Sequence, residues 1–282
     1  MGKVLKRWEV LEKLHATLDK DMPVIITGAS CGLVGKCAER SDTDLILYST
    51  MGRSRFQGFP TRIIGDFSGN ISMQMHRDLW MVVKHTPLIA GLDASDIECL
   101  DLDRLVDRFV DAGVSGFCNL PTVQFYGTEF RTRASGTYTA FENELALIEK
   151  CRKRDLFGIG FVFFPEDALK MIDAGADCII ANCGATEGGM SGYGHMEYDV
   201  AVERIEKIVE VVKKANADVI CIGHGGPFNS PESTRILYDR TGVDGYYGGS
   251  SIERIPVENA VREIVEQYKA PVLSALRGEK IV

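Results

Sequence analysis

Short runs of apolar residues alternate with amphipathic stretches along most of this chain of 282 residues. Within each run the apolar residues are continuous rather than alternating with polar ones, which is typical of parallel strands buried on both faces. The runs cover 23–27, 44–48, 87–91, 114–119, 157–163, 177–182, 218–223 and 244–249. The pattern therefore predicts eight buried parallel strands.

Stretches with helical spacing separate these runs, and glycine repeatedly stands where a helix gives way to a strand. The helical patterns cover 71–84, 101–112, 138–154, 166–174, 198–215, 231–240 and 256–268. Gly113, Gly175 and Gly242 are predicted to be left-handed residues that turn a helix back into a strand, and Asn216 is predicted to do the same. Eight strands linked in this way favour a closed (β/α)₈ TIM barrel, formed by one domain over 1–282, rather than an open sheet.

Two further segments complete the predicted barrel. Apolar residues recur at helical spacing before the first strand, which predicts an N-terminal helix that covers the bottom of the barrel. These residues are Val4, Leu5, Trp8, Leu11, Leu14 and Leu18. The segment 49–70 is longer than a usual connection from strand to helix, and long loops in compact domains are more often functional. We expect it to be a loop over the mouth of the barrel.

Composition narrows the class of protein. Hydrophobic content of 45% and charged content of 26% are ordinary for a globular protein. The net charge of −8 argues against nucleic acid or an anionic membrane as a partner, because both select for basic patches. No apolar run approaches the roughly 20 residues that span a bilayer. The 8 cysteines include no CxxC pair, so we expect reduced thiols in a cytoplasmic protein.

In an α/β barrel, the residues just beyond each strand converge on one face, which carries the active site. Glycine-rich turns follow strands 7 and 8, where backbone N–H groups and helix N-termini would favour an anion, although tight turns alone also explain these glycines. Arginines in the segment after strand 2 would hold a carboxylate or phosphate by forked hydrogen bonds. We therefore expect a small anionic substrate. The predicted substrate-binding residues are Ser30, Cys31, Ser49, Arg53, Arg55, Asn182, Gly225, Gly226, Gly248, Gly249 and Ser250.

Four side chains are candidates for the chemistry itself. His224 ends strand 7, and His195 lies in the long connection after strand 6; both are candidate general acids or bases. Asn119 follows strand 4, and Asp93 follows strand 3. Asp93 is also the candidate ligand for a divalent cation such as Mg²⁺, which binds one or two carboxylates together with waters and substrate oxygens. A turn or helix cap is the alternative role for this carboxylate.

Five stretches, at 27–55, 82–96, 119–131, 174–189 and 223–258, resemble the phosphoenolpyruvate hydrolase-like barrels, and HGGP…GGSSIER is the most specific part. That family is itself similar to the superfamily of phosphoenolpyruvate mutase, phosphonopyruvate hydrolase and isocitrate lyase, whose enzymes hold an enolpyruvate oxyanion with Mg²⁺. This chain has Gly91 in place of one of the paired aspartates of those enzymes. It has Asn119 where they carry an acid, and it lacks their Lys-Lys-Cys-Gly-His loop.

The resemblance implies a hydrolase or lyase that acts on a small anionic 2-oxo acid or enol phosphate by stabilising an oxyanion or enolate. Two alternatives stay open. One is a non-catalytic, ligand-binding regulatory barrel, which the missing acids favour; the other is a lyase that breaks a C–C bond by retro-aldol or retro-Claisen chemistry. Such a lyase would not use a Schiff base, because none of the predicted strands ends in lysine. A homo-oligomer is expected from the frequency of oligomers among soluble proteins.

Overall fold

The computed structural model describes residues 4–61, 69–93, 100–192 and 194–270, with only the backbone described at 69 and 70. Eight parallel strands close into a barrel in chain order, and the last strand pairs with the first. The predicted (β/α)₈ barrel is confirmed. The strands are β1 (Val24–Gly28), β2 (Leu45–Tyr48), β3 (Leu88–Gly91), β4 (Gly116–Cys118), β5 (Phe157–Val162), β6 (Cys178–Asn182), β7 (Ile220–His224) and β8 (Gly245–Gly248).

Alternate residues of each strand supply two different cores, which is why the strands are apolar on both faces. One core fills the inside of the barrel and includes Ile26, Leu47 and Ile180. The other lies between the sheet and the surrounding helices and includes Ile179 of the same strand. The filled interior leaves the ends of the barrel as the places where a ligand can enter.

The helices surround the barrel as the hydrophobic pattern predicts, with additions, among them Gly32–Arg40 between the first two strands and Ser250–Glu253 after the last. The predicted loop 49–70 contains the helix Thr50–Phe56, and a 3₁₀ helix (Val123–Tyr126) and the helix Gly127–Ala134 precede the predicted helix after strand 4. Residues 62–68 of that loop lie outside the described residues. The helices are α1 (Arg7–Leu18), α2 (Gly32–Arg40), α3 (Thr50–Phe56), α4 (Gly69–Val82), α5 (Leu102–Ala112), α6 (Gly127–Ala134), α7 (Phe141–Lys153), α8 (Pro165–Asp173), α9 (Tyr198–Ala215), α10 (Pro231–Thr241), α11 (Ser250–Glu253) and α12 (Ile255–Lys269).

The turns from helix to strand follow the predicted glycine chemistry in three of four places. Gly113, Gly175 and Gly242 have φ angles of 106°, 99° and 69°, in the left-handed region where only glycine is unstrained. The prediction for Asn216 is wrong, because this residue has a φ of −156° and is extended. The chain there leaves α9 without a left-handed turn.

The N-terminal helix α1 covers the bottom of the barrel, as predicted. The amide of Leu5 donates to Ser115 Oγ at 3.0 Å, and Thr17 donates to Asp44 at 2.7 Å. Arg7 forms an ion pair with Asp177 at 2.6 Å. Because Asp44, Ser115 and Asp177 immediately precede strands, these bonds close the amino-terminal end and leave the carboxyl ends open for a site.

The longest helix in the described ranges, α9, spans 18 residues and packs six of them into the core. Its other face is charged, as expected for a helix on the outside of a barrel. No helix in the described part of the chain is long and apolar enough to cross a membrane.

Candidate functional site

A cavity opens at the carboxyl ends of the strands, on the face where the sequence predicts the site. Its empty space, including the opening to solvent, is about 450 Å³. The cavity is lined by Ser49, Met51, Arg55, Thr61, Leu120, Phe125, Phe161, Gly184, Ala185, Thr186, His224, Tyr247, Gly249 and Ser250.

A buried ion pair holds the positive charge at one side of this cavity. Arg55 of α3 pairs through Nη2 with Oε1 of Glu253 in α11, and both side chains are almost fully buried. The other oxygen of Glu253 accepts hydrogen bonds from the amide and hydroxyl of Ser30, at 2.9 and 2.8 Å. Burial lowers the pKa of Arg55 to about 10, so the guanidinium stays charged at neutral pH. The pair therefore fixes one cationic donor group at the cavity wall.

His224 supplies a neutral base at the end of β7. Its Nδ1 atom lies 2.7 Å from the carbonyl oxygen of Tyr247. Because a carbonyl only accepts, the ring proton sits on Nδ1 and the lone pair on Nε2. Within the described residues, Nε2 has no hydrogen-bond partner. Burial lowers the pKa of His224 to about 4, so the imidazole is uncharged at neutral pH.

Tyr247 of β8 places a hydroxyl group beside this imidazole, with ring centroids 4.6 Å apart. Burial raises the pKa of Tyr247 to about 12, so the hydroxyl keeps its proton and is a donor. A Cβ atom on Gly249 would lie 3.6 Å from this hydroxyl and 3.8 Å from Cε1 of His224. The glycine thus leaves space next to both reactive groups.

Buried hydrogen bonds support the opposite wall of the cavity. The side chain of Asn119 accepts from the amide of Phe161 at 2.6 Å and donates to Glu144 at 2.5 Å. Glu144 also accepts from the Thr122 hydroxyl and the Val123 amide, each at 2.7 Å. Burial raises the pKa of Glu144 to about 8. These bonds hold the segment that carries Leu120 and Phe125, which line the cavity.

Five of the predicted site residues meet at the cavity: Ser49, Arg55, His224, Gly249 and Ser250. Ser30 is not among the lining residues, but its hydroxyl donates to Glu253, the partner of Arg55.

The other predicted residues have different surroundings. Asn119 uses its amide within the buried network, and Arg53 reaches Gln74 at 3.4 Å on the outside. Cys31 is the residue that precedes α2 and is not among the residues that line the cavity. A Cβ on Gly248 would clash with Ile252, so this glycine allows α11 to pack closely.

The glycines after β7 serve the packing of the neighbouring loop. Gly225 and Gly226 have φ angles of 91° and 54°, and the amide of Gly226 donates to the carbonyl of Gly184 at 3.2 Å. A Cβ on Gly225 would lie 2.0 Å from that same carbonyl oxygen. Asn182 accepts from the amide of Gly184 at 2.9 Å. Helix α10 begins only at Pro231, so the turn after β7 does not enter a helix directly.

His195 lies in the connection after β6, away from the residues that line the cavity. Its side chain is 75% exposed and contacts Glu197 at 3.0 Å and Glu187 at 3.4 Å. Hydrogen bonds to these carboxylates raise its pKa. His195 and His224 therefore differ in exposure and in the direction in which their pKa is shifted.

Asp93 lies beyond β3 and is partly buried. It is close to Glu144 and Tyr126, and its charge raises the pKa of both, although burial is the larger cause in each case. Across the described ranges, no three His, Cys, Asp or Glu side chains come together as metal ligands. A Cβ on Gly91 would stand 2.6 Å from the Leu120 carbonyl oxygen and 2.7 Å from Ser49 Cβ. Position 91 therefore has no room for a second carboxylate, and the described residues do not fit a paired-aspartate Mg²⁺ site.

Several residues at the cavity were not predicted from the sequence. Tyr247 and Phe161 lie within strands rather than after them, and the alternation of strand side chains is the signal that directs them inward. Glu253 lies in the GGSSIER block, four residues after Gly249. Its role follows from the ion pair with Arg55, which joins segments 198 residues apart and has no local signature.

A closed parallel barrel with a cation, a neutral imidazole and a phenol at the carboxyl ends of its strands has the organisation of (β/α)₈ enzymes. The model of the phosphoenolpyruvate hydrolase-like family matches residues 9–270. The chain belongs to this family. The predicted resemblance is confirmed at the level of the family.

Similar proteins include the ToMV susceptible protein tm-1(GCR26) of Solanum lycopersicum, which is 33% identical over 94% of this chain and 36% of its own length. The chain thus spans about a third of that relative. Among solved structures, a phosphonopyruvate hydrolase in complex with oxalate and Mg²⁺ has a TM-score of 0.60 at 20% identity, covering 92% of this chain and 87% of its own. A 2,3-dimethylmalate lyase has a TM-score of 0.61 at 16% identity, covering 94% and 88%. These structures share the barrel fold.

Proposed function

We propose that this chain is a hydrolase or lyase that acts on a small 2-oxo acid in the cavity at the carboxyl ends of the strands. The observation that carries the proposal is the convergence of Arg55, His224 and Tyr247 on one cavity. A fixed cation, a neutral base and a protonated hydroxyl are the groups needed to hold a carboxylate, move a proton and stabilise an oxyanion. The family description, and neighbours named for phosphonopyruvate hydrolysis and dimethylmalate cleavage, support this class.

Each of the three residues has a separate task in the proposed reaction. Arg55 binds the substrate carboxylate, and the hydroxyl of Tyr247 donates to the carbonyl oxygen on which negative charge develops. Nε2 of His224 removes a proton from an attacking water, or from a substrate hydroxyl where a C–C bond is cleaved. The imidazolium then returns this proton to the leaving carbon, which restores the neutral base. Hydrolysis and C–C cleavage use the same three groups.

The walls of the cavity favour a 2-oxo acid with an apolar substituent over an enol phosphate. Met51, Leu120, Phe125 and Phe161 face the ligand space. The charge of Arg55 is already balanced by the buried carboxylate of Glu253. A ligand with two or three negative charges would be repelled by this carboxylate, whereas a single carboxylate with an apolar tail matches both the cation and the walls.

A divalent cation would polarise the same carbonyl in a related barrel, as the complex of the phosphonopyruvate hydrolase with Mg²⁺ and oxalate suggests. Because the described residues do not provide paired carboxylates for such a site, we assign the stabilisation of the oxyanion to Tyr247. Asp93 remains a candidate for metal binding, and assays with and without Mg²⁺ address it.

The test is a screen of the purified chain with oxaloacetate, phosphonopyruvate, phosphoenolpyruvate, β-diketones and 2-oxo acids of increasing apolar length, with and without Mg²⁺. We expect turnover of an apolar 2-oxo acid by the wild type and a loss of about 10²–10⁴-fold in His224→Asn, which keeps a donor to Tyr247 but removes the base. Arg40→Gln, an exposed arginine of α2, is the control. A ligand that raises the melting temperature without turnover would favour the regulatory barrel. If no compound is turned over and none raises the melting temperature, the proposal is wrong.

A further inference from the structure

Asn182, the last residue of β6, carries a buried amide of which only one atom is used within the protein. The residue is 1% exposed. Its Oδ1 atom accepts from the amide of Gly184 at 2.9 Å. Because a backbone N–H only donates, this bond distinguishes the oxygen of the side chain from its nitrogen and turns Nδ2 away from Gly184. Nδ2 is buried and has no hydrogen-bond partner among the described residues.

This donor differs from the other buried side-chain atoms that lack a partner in the described part of the chain. Those atoms belong to charged side chains that take part in ion pairs, namely Arg55, Arg131, Asp167 and Arg254. Asn182 is uncharged, and no ion pair compensates its nitrogen. Because buried polar groups in folded proteins are nearly always hydrogen-bonded, Nδ2 requires an acceptor that the described residues do not supply.

The alternation of side chains along β6 places Asn182 on the inside of the barrel. Cys178 and Ile180 belong to the inner core, and Ile179 belongs to the core under the helices. Asn182 therefore continues the inner face. Its register partner on β7 is His224, which lines the cavity. Register partners on neighbouring strands lie about 4.8 Å apart with their side chains on the same face, so the amide stands beside the imidazole.

The two neighbouring side chains offer complementary hydrogen-bonding atoms. Nδ2 of Asn182 is a donor without an acceptor, and Nε2 of His224 is an acceptor without a donor among the described residues. A water molecule accepts from the first and donates to the second, and two hydrogen bonds of about 2.8 Å span the distance between neighbouring strands. Buried waters usually bridge polar groups in this way. The ring of Phe161, 5.6 Å from the imidazole ring, provides an apolar wall.

We propose that Asn182 and His224 together hold the water molecule that attacks the substrate, which makes Asn182 a further catalytic residue and the reaction a hydrolysis. This inference rests on the function proposed above and decides between its two reactions. In C–C cleavage without water, Nε2 of His224 would take a proton from a substrate hydroxyl, and the buried donor of Asn182 would have no task. In hydrolysis both atoms bind the same reactant.

The bonds to the water leave one lone pair of its oxygen for the reaction. This oxygen forms a bond to the carbonyl carbon of the substrate, and one water proton passes to Nε2 of His224. The carbonyl electrons move to the oxygen that accepts from the hydroxyl of Tyr247. When the carbonyl re-forms, the bond to the leaving carbon breaks, and the imidazolium gives its proton to that carbon. The products are a carboxylic acid and the protonated leaving group, and water is the only co-reactant.

Crystal structures of the wild type and of Asn182→Leu, both without substrate, test the water directly. We expect an ordered water within about 3.2 Å of both Nδ2 of Asn182 and Nε2 of His224 in the wild type. Asn182→Leu keeps a side chain of similar size without the donor, so the water should be lost while circular dichroism shows the same fold. A wild type without a shared water, or a variant that keeps the water in place, would overturn the proposal.

The products and the kinetics of the substrate found in the screen give an independent measurement. Mass spectrometry should find products whose masses add up to the substrate plus one water. Asn182→Leu should lower kcat by about 10²-fold with KM little changed, because a misplaced reactant slows the reaction without weakening substrate binding. Asn216→Leu, at an exposed position before β7 and so at the opposite end of the barrel, is the control and should keep the wild-type kcat.

The outcomes separate this inference from the proposed function. Products whose masses add up to the substrate alone, or an unchanged kcat in Asn182→Leu, would show that no water held by Asn182 reacts, while the proposed cavity and its lyase reaction would stand. A wild type that turns over no compound would contradict the proposed function, and the crystal structure of the wild type would still show whether Asn182 and His224 share a water.

Discussion

The imidazole of His224 donates its Nδ1 proton to the carbonyl oxygen of Tyr247, 2.7 Å away. This one bond ties the end of β7 to β8 and fixes the tautomer that leaves Nε2 basic. The side chain of the same tyrosine provides the hydroxyl beside the imidazole. In the proposed reaction Tyr247 therefore has two roles, through its backbone as the group that orients His224 and through its phenol as a donor.

The low pKa of His224 predicts an unusual pH profile. Because burial lowers this pKa to about 4, the base is neutral at all higher pH values, and kcat/KM should be constant from pH 8 down to about 5 and fall with a midpoint near 4. An unperturbed histidine would give a midpoint near 6.5. Initial rates of the substrate found in the screen, measured between pH 3.5 and 8, distinguish the two. A midpoint near 6.5 would contradict the buried environment.

The same shift in pKa has a consequence for folding. The folded-state pKa lies below the unfolded value, so the unfolded chain binds more protons between pH 4 and 6.5. The contribution of His224 to stability is therefore complete above about pH 6.5 and is lost as the pH falls towards 4. In His224→Asn the loss of melting temperature over this range should be smaller than in the wild type.

The ion pair between Arg55 and Glu253 predicts effects on ligand binding and on stability that a second substitution separates. Arg55→Gln removes the cation and leaves a buried carboxylate unpaired, so we expect a loss of about 3–5 kcal/mol in the free energy of unfolding together with loss of ligand binding. The double variant Arg55→Gln, Glu253→Gln removes both charges. It should recover most of the stability but none of the binding.

Urea unfolding and isothermal titration with the substrate measure the two effects separately. Recovery of ligand affinity in the double variant would show that the guanidinium is not the group that binds the anion. If Arg55→Gln alone leaves the ligand affinity unchanged, the guanidinium is likewise not the group that binds the anion.

The buried carboxyl group of Glu144 predicts a stability that falls as the pH rises. Burial raises its pKa to about 8, above the unfolded value near 4.5, so the folded chain binds more protons between these values. The contribution is complete below about pH 4.5 and is lost as the pH rises through 8. Glu144→Gln should remove this part of the pH dependence. Melting temperatures of both proteins from pH 5 to 9 test it; parallel curves would mean that Glu144 does not take up a proton on folding.

The sequence predicts the fold well because the barrel is specified by local signals that repeat. Continuous apolar runs gave the strands, and glycines such as Gly113 and Gly242 marked the turns. The failures arose where no local signal exists. Helix α3 lies in a segment rich in glycine, serine and arginine, with no clear apolar stripe, and its position depends on the contact of Arg55 with Glu253 at the far end of the chain.

The lining of the cavity was predicted in part for the same reason. The rule that loops after strands form the active face selected Arg55, His224 and Gly249, which line the cavity, but it also selected residues such as Asn119, whose side chain turns into the core. Strand-end position does not say which way a side chain points. That direction depends on buried partners, here Glu144 and the backbone of Phe161, which are distant in sequence.

The position of Gly249, beside Tyr247 and His224, provides a test of where the ligand binds. A Cβ at this position meets only ordinary contacts, 3.6 Å from the Tyr247 hydroxyl and 3.8 Å from the His224 ring, so Gly249→Ala should place a methyl group in the space between substrate and reactive groups. We expect ligand affinity to fall by at least about tenfold while unfolding stays cooperative. Gly225→Ala is the comparison: its Cβ would lie 2.0 Å from the Gly184 carbonyl, so it should lower the melting temperature sharply. Undiminished affinity in Gly249→Ala would place the ligand elsewhere in the cavity.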